Sequence, residues 1–410
     1  VKRDLLLRRD EEDPLAGLRE RVVLPEGKVY LDGNSLGALP RGVTGRIEAL
    51  LNREWGDDLI AGWNVHDWIG LPARVGDRIG RLIGAAPGQV ICADSISVNL
   101  FKLLSAALSL RPGRSVILSQ QDNFPTDLYM AEGLSALLGP ERCEVKCVSA
   151  DQLVDSIDDN VAVLMLTQVN FRDGSLHDIR SLTRKAHDRG ALVLWDLAHS
   201  AGVIPLELDA WEVDMAVGCG YKYLNGGPGA PAFLYLAQRH QGQAVQPLQG
   251  WMGHARPFDF AADYVAAGGI ESFLAGTPGV LGMAALDAAL DVFDDVSLAE
   301  VRAKSQALTQ AFIELVSELD LPGFGILSPL QAEKRGSQVS LTHEHAFAVS
   351  QALISHGVIV DFRAPDIIRF GFSPLYNTFA EAGRAAGVLA QIIQNELFLE
   401  ARYSVRQKVT

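Results

Sequence analysis

The sequence predicts an α/β protein with a large domain built on a mostly parallel sheet and a smaller C-terminal α/β domain. Short apolar runs alternate with amphipathic segments, which is typical of βαβ units. The chain has 410 residues, and a single hydrophobic core stops growing at roughly 250–300 residues. The pattern becomes predominantly helical near residue 283. We therefore expect an N-terminal segment over 1–45, a large domain over 46–282 and a small domain over 283–410.

Apolar runs predict the strands of the large sheet at 89–94, 114–120, 161–169, 191–200 and 214–220. Amphipathic segments follow several of these runs and predict helices. We expect Ser97 to cap the N-terminus of the first helix and Pro125 to lie in the first turn of the next. A long helical stretch covers 283–319, with an expected break near Asp294 and Asp295.

Composition and charge exclude several classes of function. The net charge is −14 and no cluster of Lys and Arg stands out, which argues against a nucleic-acid or anionic-membrane partner. No apolar run reaches the ~20 residues of a membrane helix, and the charged start "VKRDLLLRRDEED" is unlike a signal peptide. Four cysteines in so long a chain indicate free thiols in a reducing compartment, and their spacing predicts no metal site. We expect a cytoplasmic protein.

Polar residues that follow the predicted strands are the first candidates for a functional site, because open α/β sheets bind ligands at the carboxyl ends of their strands. These residues are Ser95 to Ser97, Asn123 to Asp127, Thr167, Asp196 with His199, and Tyr221 with Lys222. They are expected to converge on one edge of the sheet.

Four of these residues form a chemically coherent set, although each also has an ordinary structural explanation. Lys222, in "YKYLNGGPG", is either a solvated turn lysine or a reactive amine, and Asp196 is either a helix cap or the partner of a ring nitrogen. Ser95 begins a helix whose N-terminus either binds an anion or is simply capped, and Phe124 either stacks on a flat ring or packs in the core. Together, amine, carboxylate, anion site and aromatic ring match pyridoxal 5'-phosphate (PLP).

Longer motifs resemble those of the kynureninase family, which has the fold-type-I architecture of PLP-dependent aminotransferases with a seven-stranded-type sheet. The motifs keep the family order from residue 30 onward: "YLDGNSLG", "SVNLFKLLSAAL", "NFPTDLY", "WDLAHSAG", "YKYLNGGPG", "GWMGH" and "RFGFSPLYNT". The resemblance implies hydrolysis of the Cβ–Cγ bond of L-kynurenine to anthranilate and L-alanine, a step of tryptophan catabolism. Such an enzyme is a hydrolase of carbon–carbon bonds in ketonic substrates and a homodimer with shared active sites.

The resemblance also implies roles for individual residues. Lys222 is the Schiff-base lysine and, with Tyr221, the catalytic acid/base. The implied cofactor-binding residues are Ser95, Ile96, Phe124, Pro125, Thr126, Asp127, Thr167, Asp196, His199, Tyr221, Lys222, Trp251 and Thr277, of which the partner subunit contributes Trp251 and Thr277. The implied substrate-binding residues are Ser35, Trp63 and Arg369, with Arg369 binding the α-carboxylate as a bidentate donor.

Two positions add detail to this resemblance. Family members commonly carry Thr where this chain has Ile96, so a hydroxyl that meets the phosphate is missing here. The branch of the family that prefers 3-hydroxykynurenine tends to carry His and Asn at the positions of Trp63 and Thr277. We therefore expect a preference for kynurenine over 3-hydroxykynurenine.

Three other functions are compatible with parts of the pattern. An aminotransferase would use Lys222, Asp196 and Arg369 equally well. A cysteine desulfurase needs a nucleophilic Cys beyond the lysine, and no Cys follows Cys219. A sensor or binding module on the same fold would leave Lys222 without a cofactor.

Overall fold

The computed structural model describes residues 2–406. The helices are α1 (Lys2–Glu11), α2 (Arg41–Ala49), α3 (Gly62–Val65), α4 (Leu71–Ile83), α5 (Ile96–Leu110), α6 (Pro125–Leu138), α7 (Ile179–His187), α8 (Val280–Ala289), α9 (Leu298–Leu319), α10 (Ala346–Ser355) and α11 (Phe379–Gln394). The strands are β1 (Val22–Val23), β2 (Val29–Tyr30), β3 (Leu39–Pro40), β4 (Val90–Cys92), β5 (Val116–Gln120), β6 (Glu144–Val148), β7 (Val161–Thr167), β8 (Leu192–Asp196), β9 (Met215–Cys219), β10 (Ala232–Leu236), β11 (Gly325–Ile326), β12 (Gln338–Thr342), β13 (Val358–Ile359), β14 (Asp361–Arg363) and β15 (Ile367–Gly371).

The large sheet has seven strands in the order β4-β10-β9-β8-β7-β5-β6, which confirms the predicted mostly parallel architecture. Strand β10 is the exception, because it runs antiparallel to both β4 and β9. Strands β4, β5 and β7 to β10 are buried along their whole length, as their continuous apolar runs require for a sheet covered on both faces.

Helix α5 begins two residues earlier in the chain than the sequence predicted. Its N-cap is Ser95, which has extended backbone angles and whose Oγ accepts a hydrogen bond from the Val98 amide at 3.4 Å. The prediction of Ser97 as N-cap is therefore wrong. Asp94 has a positive φ of 50°, and the turn that it makes directly after β4 brings Ser95 into the capping position. The predicted place of Pro125, at the first position of α6, is confirmed.

A second sheet of β11-β12-β15-β14 is antiparallel and packs with α9, α10 and α11 around a separate hydrophobic core. The predicted break in the long helical stretch is confirmed, because a short 3₁₀ segment (Leu290–Phe293) and a turn separate α8 from α9. Strand β2 pairs in parallel with β13, so the N-terminal segment is tied to the C-terminal part of the chain. The domain boundaries at 45 and 282 stay a prediction.

No helix in the described part of the chain, residues 2–406, is both long enough and apolar enough to cross a bilayer.

A buried carboxylate fixes the amino ends of β8 and β9. Asp214 directly precedes β9 and accepts hydrogen bonds from His187 Nε2 at 2.8 Å, His240 Nε2 at 2.7 Å and Arg239 Nη2 at 2.7 Å. It also accepts from the amide of Val193 in β8 at 2.9 Å. Burial alone would raise the pKa of Asp214, but these donors and the positive charges beside it hold that pKa well below the usual value. The cluster anchors the two strands whose other ends carry the candidate site.

We predict that Asp214→Asn lowers the free energy of unfolding by about 3–5 kcal/mol, because it removes the charge that the surrounding cations need. A carboxyl group whose pKa is depressed by folding stabilises the fold above its unfolded pKa of about 3.9. That stabilisation is lost as the pH falls through the folded pKa. Thermal unfolding of both proteins should therefore show a gap in Tm from pH 7 down to pH 5 that narrows below pH 4. The exposed Asp155→Asn is the control, and an unchanged Tm for Asp214→Asn at pH 7 would contradict this role.

Candidate active site

A cavity of about 370 Å³ opens at the carboxyl ends of β7, β8 and β9. We call it the cleft. Many of the residues proposed from the sequence line it, namely Ser95, Ile96, Phe124, Thr126, Asp127, Thr167, Asp196, His199, Tyr221 and Lys222. The parallel pairing of the strands explains this convergence, since parallel strands end at the same edge of a sheet.

Lys222 is held at the cleft by a tight loop after β9. Its Nζ lies 5.9 Å from the ring centroids of both Phe124 and Tyr221. The loop closes through a hydrogen bond from the amide of Gly226 to the carbonyl of Gly220 at 2.8 Å. A β-carbon at Gly226 would lie 2.8 Å from the Gly220 carbonyl oxygen, so this turn requires glycine. The glycines after the lysine therefore shape the loop that presents its amine.

Two buried carboxyl groups lie side by side beneath the amine. Asp196 ends β8, and its Oδ1 accepts a hydrogen bond from the amide of Ala198 at 2.7 Å. Burial raises the pKa of Asp196, while the positive charge of Lys222 opposes this shift. Burial and then the negative charge of Asp196 raise the pKa of Asp127 well above the usual value. Burial and the repulsion between two adjacent carboxylates therefore disfavour a negative charge on both groups at once, while the positive charge of Lys222 favours a negative charge at the base of the cleft.

Asn123 organises this pair. Its Oδ1 accepts hydrogen bonds from the amide of Thr167 at 2.7 Å and from the Thr167 hydroxyl at 3.1 Å. Its Nδ2 donates to Asp127 Oδ2 at 3.1 Å. A single amide side chain thus joins the ends of β7 and α6 below the cleft.

The N-terminus of α5 forms one wall of the cleft. Ser95, Ile96 and Ser97 line it, and the amides of the first helical turn have no partner within the helix. Ile96 is half-buried and also packs against the apolar core between α5 and the sheet. The N-terminus of this 15-residue helix is suited to an anionic group, and the hydroxyls beside Ile96 belong to the two serines.

The opposite side of the cleft is aromatic. Phe124 packs edge-to-face against Phe171, with ring centroids 5.3 Å apart. His199 is buried nearby, and its Nδ1 has no hydrogen-bond partner among residues 2–406. Burial, followed by the positive charges of Lys222 and Arg369, lowers the pKa of His199 well below the usual value. The imidazole is therefore neutral and has an unused polar atom.

Six of the proposed site residues do not line the cleft. Pro125 is the first residue of α6, between two residues that do. Thr277 lines a neighbouring cavity of about 350 Å³ that shares Asp94 and Gly229 with the cleft. The others lie elsewhere: Ser35, Trp63, Trp251 and Arg369.

Of these outlying residues, Arg369 contacts a residue of the cleft, since its Nη1 donates to the carbonyl of Phe171. Trp63, in α3, packs edge-to-face against Trp68. Trp251 is 39% exposed and contacts the ring of Phe258.

Several cleft residues escaped the sequence-based selection. Phe171 lies in the loop after β7, so inspecting the whole loop rather than only the strand end Thr167 could have found it. Asp94 and Cys219 lie at the ends of β4 and β9, but nothing in their local sequence distinguishes them from ordinary strand residues.

The cleft has the groups that PLP requires. Lys222 supplies an amine, Asp196 a buried anion for a ring nitrogen, Phe124 an aromatic surface, and the N-terminus of α5 an anion site for a phosphate. The unpaired Nδ1 of His199 is a further polar atom that a bound group can satisfy. Residues 2–406 hold no cluster of three or more His, Cys, Asp or Glu side chains that could bind a metal ion.

Known proteins resemble the chain along its whole length. A family model described as "Kynureninase C-terminal domain" matches residues 301–389. A protein named Kynureninase from Burkholderia pseudomallei (strain 1106a) is 46% identical over 415 residues, covering 100% of this chain and 99% of the relative. Another protein of that name, from Deinococcus radiodurans, is 49% identical over 390 residues, covering 94% of each chain.

Solved structures share the fold at much lower identity. The apo structure of a cysteine desulfurase from Thermococcus onnurineus has a TM-score of 0.78 and 19% identity, covering 92% of this chain and 98% of the other. A complex of the cystine C-S lyase C-DES has a TM-score of 0.76 and 18% identity, covering 89% and 98%. Both are fold-type-I structures, and they confirm the predicted fold class.

Ile96 provides a test of how the cleft binds the phosphate of PLP. We predict that Ile96→Thr binds PLP about 10–100-fold more tightly, because a hydrogen bond to a charged group contributes roughly 1.5–3 kcal/mol. Dialysis followed by visible absorbance measures the PLP that each protein retains. The control is Val98→Thr, which also turns a β-branched apolar side chain into threonine on the same helix but outside the cleft. Equal or weaker binding by Ile96→Thr would mean that Ile96 serves only to pack the core.

Proposed function

This chain belongs to the kynureninase family, and from that premise we propose that the cleft is its active site, with Lys222 as the central catalytic residue. The protein is a PLP-dependent kynureninase of the kynurenine pathway, which hydrolyses L-kynurenine to anthranilate and L-alanine. One observation carries the proposal for the site: the Lys222 amine, the Asp196 carboxylate and the N-terminus of α5 face a single cavity.

We propose that the residues around the cleft hold PLP by its chemically distinct parts. When bound, PLP supplies the electron sink that lets the substrate lose its Cα proton and break its Cβ–Cγ bond. Asp196 would pair with the ring nitrogen, and Asp127, whose pKa is raised by burial and by the charge of Asp196, would support it from the same buried site. Phe124 would stack on the ring, and the N-terminus of α5 with its two serines would hold the phosphate. Pro125, Thr126, Thr167 and His199 shape the remaining walls.

Lys222 and Tyr221 are proposed to carry the protons. The Lys222 amine would hold the cofactor at its aldehyde group, and the same amine would serve as the base for the substrate Cα proton. Burial raises the pKa of Tyr221, so its hydroxyl stays protonated and can donate a proton near the same face. Hydrolysis also needs water at the γ-carbonyl, and an amine and a phenol in adjacent positions can serve these transfers in turn.

We propose that Arg369 binds the substrate α-carboxylate and that Ser35 assists it. The guanidinium is buried and donates a hydrogen bond to the backbone carbonyl of Phe171, a residue that lines the cleft. A guanidinium suits this task because its planar donors match both oxygens of a carboxylate.

A second copy of the chain completes the site in this proposal. Trp251 and Thr277, assigned to the phosphate end by the family resemblance, lie outside the cleft of their own chain. Trp251 contacts Phe258 and Phe260, which are 63% and 78% exposed. An apolar surface of this kind is typical of an interface. We therefore propose a homodimer with shared active sites, and a cytoplasmic location, which its four free cysteines support.

The experiment that tests the reaction uses the wild-type protein with PLP and L-kynurenine, without a keto acid. We predict that anthranilate, followed by its fluorescence, and alanine are released in equal amounts. An aminotransferase would also employ Lys222, Asp196 and Arg369, but it needs a keto acid acceptor and yields no anthranilate. Turnover that depends on a keto acid would overturn the proposal.

We predict that Lys222→Ala lowers kcat by about a thousandfold or more, because acid–base catalysis alone contributes roughly 10²–10⁴-fold and the covalent step is lost as well. Anthranilate release measures the effect. Lys185→Ala, an exposed lysine on α7, is the control and should keep wild-type activity. Near-normal activity of Lys222→Ala would contradict the mechanism.

We also propose that the enzyme prefers kynurenine to 3-hydroxykynurenine. Trp63 and Thr277 offer fewer polar partners to the additional hydroxyl than the His and Asn of the other branch. An unpaired polar group costs about 1–3 kcal/mol, so kcat/KM should favour kynurenine by about tenfold or more. The double variant Trp63→His/Thr277→Asn should move this ratio toward the hydroxylated substrate. A wild-type ratio that favours 3-hydroxykynurenine would reverse the assignment.

A further inference from the structure

Arg369 has three hydrogen-bond partners, and one of the three nitrogens of its guanidinium has none. Its Nη2 donates to Asp361 Oδ2 and, at 3.3 Å, to Ser35 Oγ, while its Nη1 donates to the carbonyl of Phe171 at 2.8 Å. Its Nε is buried and has no hydrogen-bond partner among residues 2–406. A buried donor without an acceptor costs free energy, so the position favours a ligand that brings an acceptor.

The Asp361 carboxylate is fixed by the sheet that carries Arg369. The two residues are direct cross-strand neighbours in the antiparallel pairing of β14 with β15. Their side chains are 4% and 2% exposed, so water competes little with the ion pair. Asp361 also accepts from Ser35 Oγ at 3.0 Å and from Arg363 Nη1 at 2.7 Å. The carboxylate therefore cannot rotate away without losing several partners.

We propose that Asp361 is a positioning residue for substrate binding: it holds the Arg369 guanidinium in the orientation that receives the substrate α-carboxylate. The inference rests on the proposed role of Arg369 and adds a residue that touches neither substrate nor cofactor. The hydrogen bond to Phe171 connects the Arg369 guanidinium to the cleft, because Phe171 is one of the residues that line it.

Asp361 could instead compete with the substrate for Arg369, and that role predicts the opposite effect of its removal on substrate binding. If Asp361 were a competitor that occupies Arg369 until the substrate displaces it, removing its charge would strengthen substrate binding. If it is a positioning residue, removing its charge frees the guanidinium to turn and weakens binding. The sign of the change in KM therefore separates the two roles.

The test compares Asp361→Asn with the wild-type holoenzyme. We expect KM for L-kynurenine to rise about 10–100-fold with kcat changed less than about threefold, the pattern of an interaction made equally in ground and transition states. The inhibition constant of the decarboxylated analogue of kynurenine should stay within about threefold, because that ligand has no carboxylate for Arg369. An unchanged or lower KM, or an equal loss for the decarboxylated analogue, would overturn the proposal.

A double-mutant cycle shows whether Asp361 acts through Arg369. In the background of Arg369→Ala, the additional change Asp361→Asn should have no further effect on KM, and independent effects of the two changes would refute the proposal. Asp366→Asn, in the same β14–β15 hairpin, is the control and should behave as wild type. If Asp361→Asn does not fold, as judged by circular dichroism, Asp361→Glu, which keeps the charge but moves the carboxylate, decides by the same comparison of the two ligands.

Binding of L-alanine is a second readout, and it tests the role of Asp361 independently of whether the protein hydrolyses kynurenine. The visible spectrum of the bound cofactor reports alanine binding whether or not kynurenine is turned over. Wild-type protein that binds alanine but releases no anthranilate would contradict the proposed function alone. Wild-type activity together with unchanged alanine binding in Asp361→Asn would contradict this inference alone.

Discussion

The parallel pairing of β8 and β9 determines where the reactive groups of the protein lie. Asp196 is opposite Val217 in this register, so β8 ends while β9 continues by two residues before the loop that carries Lys222. Both strands are fully buried, and Asp214 anchors their other ends. Because neither strand can slip without exposing its apolar side chains, the register holds the Asp196 carboxylate and the start of the Lys222 loop at the same edge of the sheet.

The fold alone does not select the reaction. Cysteine desulfurases share this architecture at a TM-score of 0.78 but at only 19% identity. A desulfurase needs a nucleophilic cysteine beyond its lysine, whereas no cysteine of this chain follows Cys219. Cys219 itself is buried at the cleft, and burial raises the pKa of its thiol, which disfavours the reactive thiolate. The chemistry therefore depends on side chains placed at the strand ends of a shared fold.

The sequence predicted the local features of the fold and the site well. Five of the seven strands of the large sheet, all but β6 and β10, follow from hydrophobic runs, as does the break before α9. The cleft residues at strand ends follow from the rule that ligands bind at carboxyl ends. The sequence could not predict contacts that depend on distant segments. Ser35 and Asp361 are 326 positions apart and meet only because β2 pairs with β13 beside the second sheet. The choice of Ser95 over Ser97 as N-cap depended on a turn at Asp94 that no residue pattern indicates.

Identifying the residue that binds the cofactor covalently tests most directly whether Lys222 is the central catalytic residue. Reduction of the PLP-loaded protein with borohydride, followed by peptide mapping by mass spectrometry, locates the pyridoxyl group. We predict a single modified site, Lys222, together with loss of the visible absorbance. Lys102 should stay unmodified, because its buried amine is paired with Asp94 at 2.6 Å. A pyridoxyl group on a different lysine, or protein that takes up no PLP, would contradict this prediction.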